Sequence, residues 1–187
     1  MNLIDIEQAA AALPAVSRVM ILGCSGSGKS TLGQKLAALF GWRYVSLDRD
    51  ILWLPGWQHR DEAEQARLTA EAIGGDRWVF DGTAPRTMAA RLARAELAIW
   101  MRPPRLTSLS GILKRWLRLR GKVRPEMAEG CPEKMDLEFL SYVWNFERDV
   151  SPRVEEQFAL HGSNIPVLVL KSHADTDRLL ALLAARS

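Results

Sequence analysis

A three-layer α/β fold, with helices on both faces of a five-stranded, mainly parallel sheet, is predicted by three features of the sequence. Five short apolar runs are continuous rather than alternating, the pattern of strands covered on both faces. Helical segments separate the runs, and that alternation implies parallel strands joined by crossover helices. A glycine-rich turn leaves the first run and opens directly into a helical pattern.

Taken in order, residues 1–17 precede the first run and read as a short accessory helix. The runs are RVMILG (Arg18 to Gly23), RYVSLD (Arg43 to Asp48), RWVFDG (Arg77 to Gly82), LAIWM (Leu97 to Met101) and PVLVLK (Pro166 to Lys171). Between the first two, Leu32, Leu36, Leu39 and Phe40 recur at helical spacing, and Gly41 supplies a stop. Asp61 to Ile73 is rich in helix formers and ends at Gly74-Gly75. Pro103-Pro104 opens a helix with Leu106, Leu109, Leu113, Trp116 and Leu117 on one face, closing at Gly121. Helical patterns also cover about Leu137 to Leu160 and Asp175 to Ala185. No repeat or linker divides the chain, so residues 1–187 are expected to form one domain, with residues 104–135 as a small basic, lid-like helical insertion.

Composition narrows the class. A hydrophobic content of 48% suits a single domain with a sizeable core. The two cysteines, Cys24 and Cys131, exclude a disulfide scaffold and lack the spacing of a zinc site. Asp5 and Glu7 stand where a signal peptide carries bases, and no uncharged run approaches the roughly 18 apolar residues of a membrane span. A cytoplasmic protein with no membrane partner is expected. The formal charge is only +3, but residues 101–125 hold 8 bases and no acid, residues 1–100 hold 11 of each, and residues 126–187 hold 6 bases and 11 acids. All the positive excess lies in one short segment.

Gly23-Cys24-Ser25-Gly26-Ser27-Gly28-Lys29-Ser30 satisfies the G-x(4)-G-K-[S/T] pattern of a phosphate-binding P-loop without a departure. Between strand and helix, successive backbone N–H groups and the positive helix end can surround a phosphate. The expected nucleotide-binding set is Gly23, Ser25, Gly26, Ser27, Gly28, Lys29, Ser30 and Thr31. Lys29 is placed to neutralise β- and γ-phosphate charge, and the Ser30 hydroxyl to ligate Mg²⁺. ATP or GTP fits the loop; no guanine-specific N-K-x-D string occurs, and ATP with Mg²⁺ is the expected pair.

Polar residues at the other strand ends distinguish among P-loop proteins. Asp81 to Thr87, DGTAPRT, resembles the DGFPRT segment of adenylate kinases, with Thr83-Ala84 in place of the Phe. By that resemblance Asp81 organises Mg²⁺ and its waters, and Arg86 holds an anionic group of an acceptor. Independently, a carboxylate at a strand's C-terminal end lies on the P-loop edge of a parallel sheet. The alternative for Asp81 is a turn residue before Gly82. Asp48, on the same edge, is a candidate to orient an acceptor hydroxyl or take its proton, with helix capping or an ion pair as the alternative. Trp53 and Trp57 flank Pro55-Gly56 and could stack on a ring-bearing substrate or pack over the sheet edge. Lys114, Arg115, Arg118, Arg120, Lys122 and Arg124 surround Trp116, and Arg115 and Arg118 are expected to close over a transferred phosphoryl group. The same cluster could track a nucleic-acid backbone or form a solvated basic face. His173 follows the last run, near a base or facing solvent.

Together the strings GCSGSGKS, LDRDILWLPGW (Leu47 to Trp57), WVFDG (Trp78 to Gly82), RGKVRPEMAEGCPEK (Arg120 to Lys134) and DLEFLSYVWNF (Asp136 to Phe146) resemble adenylate-kinase-related proteins of the DNA topology modulation (FlaR-like) family. The resemblance spans about residues 18–172 and departs from the family at Asp48-Arg49-Asp50 and Thr83-Ala84-Pro85. It implies an adenylate-kinase-like fold and ATP-dependent phosphotransfer to a small molecule such as a nucleotide or nucleoside. Arg148 and Arg153, which follow its last string, could enter the site from a neighbouring helix. A nucleotide-regulated DNA-binding protein and a simple ATPase are the alternatives.

Overall fold

The structure is a computed structural model that describes residues 1–186. In chain order its elements are β1 (Asn2–Ile4), α1 (Ile6–Ala12), β2 (Arg18–Gly23), α2 (Lys29–Phe40), β3 (Arg43–Ser46), β4 (Trp53–Leu54), β5 (Gln58–His59), α3 (Glu62–Gly74), β6 (Trp78–Asp81), α4 (Pro85–Leu92), β7 (Leu97–Met101), α5 (Arg105–Leu119), α6 (Leu137–Asp149), α7 (Ser151–His161), β8 (Pro166–Leu170) and α8 (His173–Ala184). The main sheet is parallel throughout, in the order β1-β8-β7-β2-β6-β3, while β4 and β5 form a separate antiparallel hairpin.

The continuous apolar runs have a direct structural cause. Successive residues of β2 feed two different cores: Val19 and Ile21 pack with Leu32, Leu36, Leu179 and Leu183, whereas Met20 and Leu22 pack with Met88, Leu92, Val154 and Phe158. Helices α1, α2 and α8 therefore cover one face and α3, α4 and α7 the other, which gives the three layers. Trp78, Phe80 and Trp100 are fully buried, and burial of the Phe80 ring contributes about 1.5–3 kcal/mol relative to an exposed one.

Three sequence expectations are corrected. The sheet has six strands rather than five, because Asn2–Ile4 pairs with Pro166–Leu168 at the edge. Three residues, two of them exposed, are too few to display a strand period; the rest of the N-terminal segment does form a helix, started by reciprocal Asp5 and Gln8 capping bonds. The helical stretch from Leu137 is two helices, divided at Val150, with Pro152 in the first turn of the second, where its missing N–H costs nothing. Most of the leucine face of α5 points outward: Leu106, Leu113 and Leu117 are exposed, Leu109 is partly buried against Ile112, and Ser108 and Ile112 are the buried positions. Close approach explains it, since a Cβ on Gly26 would lie 2.1 Å from the Ser108 carbonyl oxygen and one on Gly111 2.4 Å from that of Gly26. The small residues Ser108 and Gly111 permit this close crossing of α5 over the P-loop.

Parallel strands bring every C-terminal end to one edge of the sheet. Gly23, Ser46, Asp81 and Met101 end their strands there, with Ser46 and Asp81 in register. Above this edge runs the irregular segment 120–135, pinned by Ser46 Oγ to Glu126 O (2.8 Å), Gly56 N to Gly130 O (3.2 Å) and Glu133 N to Lys122 O (3.0 Å). Among the described residues no helix is long and apolar enough to cross a membrane.

Candidate active site

The P-loop is built as its pattern requires. Gly26 and Gly28 take φ of 79° and 94°, the left-handed region open to glycine, and Lys29 begins α2. The Thr83 hydroxyl bonds both the N–H and the carbonyl of Gly23, at 2.8 and 3.0 Å, tying the loop to the end of β6. Gly26, Gly28, Lys29, Ser30 and Thr31 line a cleft of about 530 Å³, while Ser27 is buried beneath the loop and Ser25 faces a second cavity. The opposite wall is one stripe of α5, Gly111, Lys114, Arg115 and Arg118, at helical spacing. Arg124, Glu126 and His173 complete it, so five cations and one carboxylate face the cleft, before His173 is counted. That balance suits a polyphosphate.

Asp81 lies at the floor of this site, 4% exposed. One carboxylate oxygen accepts the Tyr44 hydroxyl at 2.7 Å; the other is buried without a partner. Burial pushes its pKa above the usual carboxylate range, and the Lys29 charge and the Ser30 and Tyr44 hydroxyls oppose that rise. An orphaned carboxylate oxygen beside a serine hydroxyl is a fitting pair of hard donors for Mg²⁺. Beneath it, fully buried Arg91 donates to the carbonyls of Gly82 (2.8 Å) and Ala84 (2.9 Å), fixing the turn that follows Asp81. Burial lowers the Arg91 pKa to about 9, and the Asp81 charge opposes that fall.

The Asp81 environment gives a stability prediction. Its folded pKa is raised above the ordinary value of 3.8, so its contribution is most favourable below that pH and falls as pH rises through the raised value. At neutral pH, Asp81→Asn is therefore expected to raise the melting temperature of the ligand-free protein. Calorimetric melting checks it, with an unchanged or lower melting temperature as the contrary result.

The second cavity, of about 480 Å³, is lined by Ser25, Asp48, Trp53, Trp57, His59, Thr83, Phe139 and Tyr142 among others. Arg115 and Arg124 line both spaces and form their common wall. Residues 47–52 form a wide helical turn capped by Ser46. Asp50 folds back to accept from Ser46 N (2.9 Å) and pairs with Arg49, leaving Asp48 to face the cavity, 3.9 Å from Arg124. Trp57 packs edge-on against Trp53 and over Met127, Ala128 and Cys131, yet still lines the cavity. The structure does not bring Arg86 here: its side chain is 84% exposed on α4, paired with Glu62, and lines neither space. Arg86 stands instead on the outer face of the helix. Arg148 pairs with Asp149 on the surface, and neither it nor Arg153 reaches the site. Cys24 is buried below the P-loop and burial pushes its thiol up to about 11, so it stays protonated.

Glu133 and Tyr44 are site residues that the sequence pattern did not single out, and Arg124 and Thr83, named there only within the basic cluster and the DGTAPRT string, line the site as well. Glu133, with a side chain 3% exposed, pairs with Arg115 (2.6 Å) and Arg124 (3.2 Å), whose side chains are 17% and 14% exposed. Burial and the neighbouring Arg124 charge lower the Arg115 pKa, while Glu133 opposes them. Of the two arginines expected over the phosphoryl group, Arg118 has no carboxylate partner among the described residues, whereas Arg115 is held by Glu133.

No family model matches the chain, and no curated protein matches it. Solved structures do. The chain is similar to a shikimate kinase from Acinetobacter baumannii in complex with shikimate, at 16% identity and a TM-score of 0.54, over 95% of this chain and 96% of that one. It is also similar to a deoxyadenosine kinase from M. mycoides with bound dATP, at 13% identity and a TM-score of 0.52, over 90% and 98%. The chain therefore shares the α/β fold of these two kinases.

Proposed function

We propose that this chain is an ATP-dependent phosphotransferase acting on a small-molecule acceptor. The observation that carries it is the meeting of two spaces at Arg115 and Arg124: a cationic cleft over the P-loop and an aromatic cavity facing Asp48. A simple ATPase needs only the first. Lys29, Arg118 and the loop N–H groups would hold the triphosphate, with Arg115 at the boundary where the γ-phosphoryl group passes. Ser30 and Asp81 would hold Mg²⁺, which when bound neutralises phosphate charge. Asp48 orients the acceptor hydroxyl and takes its proton as the new O–P bond forms and the β–γ bridge bond breaks, releasing ADP. The resemblance to adenylate-kinase-related proteins of the DNA topology modulation family supports the phosphotransfer. A cytoplasmic setting suits an ATP substrate and two free cysteines.

DNA binding is the weaker alternative because the basic segment spends its charge inward: Arg115 and Arg124 on Glu133, Lys114 and Arg118 on the nucleotide cleft. Asp48→Asn tests the main proposal. Acceptor-dependent kcat is expected to fall on the order of a hundredfold, with ATP affinity unchanged in a calorimetric titration. Undiminished kcat would remove Asp48 from the chemistry.

A further inference from the structure

The charge of the second cavity restricts what it can accept, given the phosphotransfer proposed above. Before His59 is counted, its lining carries three cations, Arg115, Arg124 and Lys134, against four carboxylates, Asp48, Glu133, Asp136 and Glu138. Each cation already has a carboxylate near it: Arg115 and Arg124 share Glu133, Arg124 also lies 3.9 Å from Asp48, and Lys134 pairs with Asp136 at 3.3 Å while sitting over the Trp57 ring. Glu138 has no ion-pair partner among the described residues. An anionic acceptor entering this space would find no uncommitted cation and would face Asp48 and Glu138, a juxtaposition that opposes binding. The adjoining nucleotide cleft has the opposite balance. Around the carboxylates stand Trp53, Trp57, Phe139 and Tyr142, flat apolar surfaces for a ring.

We infer that the acceptor is a ring-bearing alcohol that is neutral or cationic, of nucleoside type, and not a phosphate monoester or a carboxylate. Its ring lies among Trp53, Trp57, Phe139 and Tyr142, and its hydroxyl faces Asp48. The transferred group moves from ATP to that hydroxyl oxygen; the hydroxyl proton leaves through Asp48 and ADP is released.

The test measures ADP release with Mg-ATP and a panel of adenosine, cytidine, thymidine and pyridoxine, set against AMP, CMP, TMP and shikimate. ATP binding is followed separately by calorimetry. At least one neutral alcohol is expected to show kcat/KM about tenfold or more above its monophosphate or shikimate. Glu138→Gln, at an exposed position, is expected to narrow that ratio severalfold, and Trp57→Ala to raise the alcohol's KM about tenfold. Equal or better use of the monophosphates or shikimate would overturn the inference. So would ATP binding without use of any neutral alcohol at millimolar concentration. Loss of ATP binding itself would instead strike the phosphotransferase proposal.

Discussion

Lys29→Ala is expected to lower kcat/KM for phosphotransfer on the order of a thousandfold, the scale for losing a preorganised charge aimed at the reacting phosphoryl group. Lys29 opens α2, and its ammonium lies 3.4 Å from the Cys24 carbonyl oxygen, folded back across the loop where the β- and γ-phosphates would sit. Lys114, Arg115, Arg118 and Arg124 remain around the cleft, so a general positive field survives the substitution. What disappears is the one cation inside the P-loop. A second effect follows from Asp81, because the Lys29 charge opposes the rise in its pKa. Without Lys29 the Asp81 value moves further up, and the acidic limb of the pH–rate profile shifts to higher pH. A pH series on the residual activity measures it; an unshifted limb would separate Asp81 from Lys29.

Glu133→Ala is expected to have the largest effect on stability. It removes the carboxylate shared by Arg115 and Arg124 and leaves two mostly buried guanidinium groups facing each other. Removing one partner from a buried pair costs about 3–5 kcal/mol; the lower end applies, because both arginines retain some exposure. About 3 kcal/mol corresponds to a Tm decrease of roughly 6–12 °C. Glu133→Ala combined with Arg115→Met is expected to recover part of that loss, since fewer uncompensated charges remain. A double-mutant thermal series showing simple additivity would mean that Arg115 and Glu133 are not coupled.

Much of the P-loop cleft was legible in the sequence because it is local. GCSGSGKS, the strand before it and the helix after it form one contiguous string, and the buried runs of a parallel sheet announce themselves through their lack of alternation. The basic stripe was legible too: Lys114, Arg115 and Arg118 share a helical face, and that face lines the cleft. The outward leucines of α5 were not, because side-chain size at a helix–loop crossing depends on the approach of Gly26, which no periodicity reports. Glu133 was hidden for a similar reason. It lies 18 residues from Arg115 in an irregular segment, and only the folding of residues 120–135 across the sheet edge makes it a partner. Arg86 shows the converse: a position recognisable in the string DGTAPRT lies on an exposed helix face, paired with Glu62 and away from both spaces. The edge strand Asn2–Ile4 is held by pairing with β8, and its own residues carry little pattern.

The most direct test of two reacting spaces joined at Arg115 and Arg124 is the fate of the terminal phosphoryl group of ATP. With γ-labelled ATP, Mg²⁺ and the neutral ring alcohols, label is predicted to appear in a new phosphate ester of the alcohol, with ADP formed in equal amount. Label found only in inorganic phosphate, released at the same rate with and without an alcohol, would contradict phosphotransfer and leave a hydrolase.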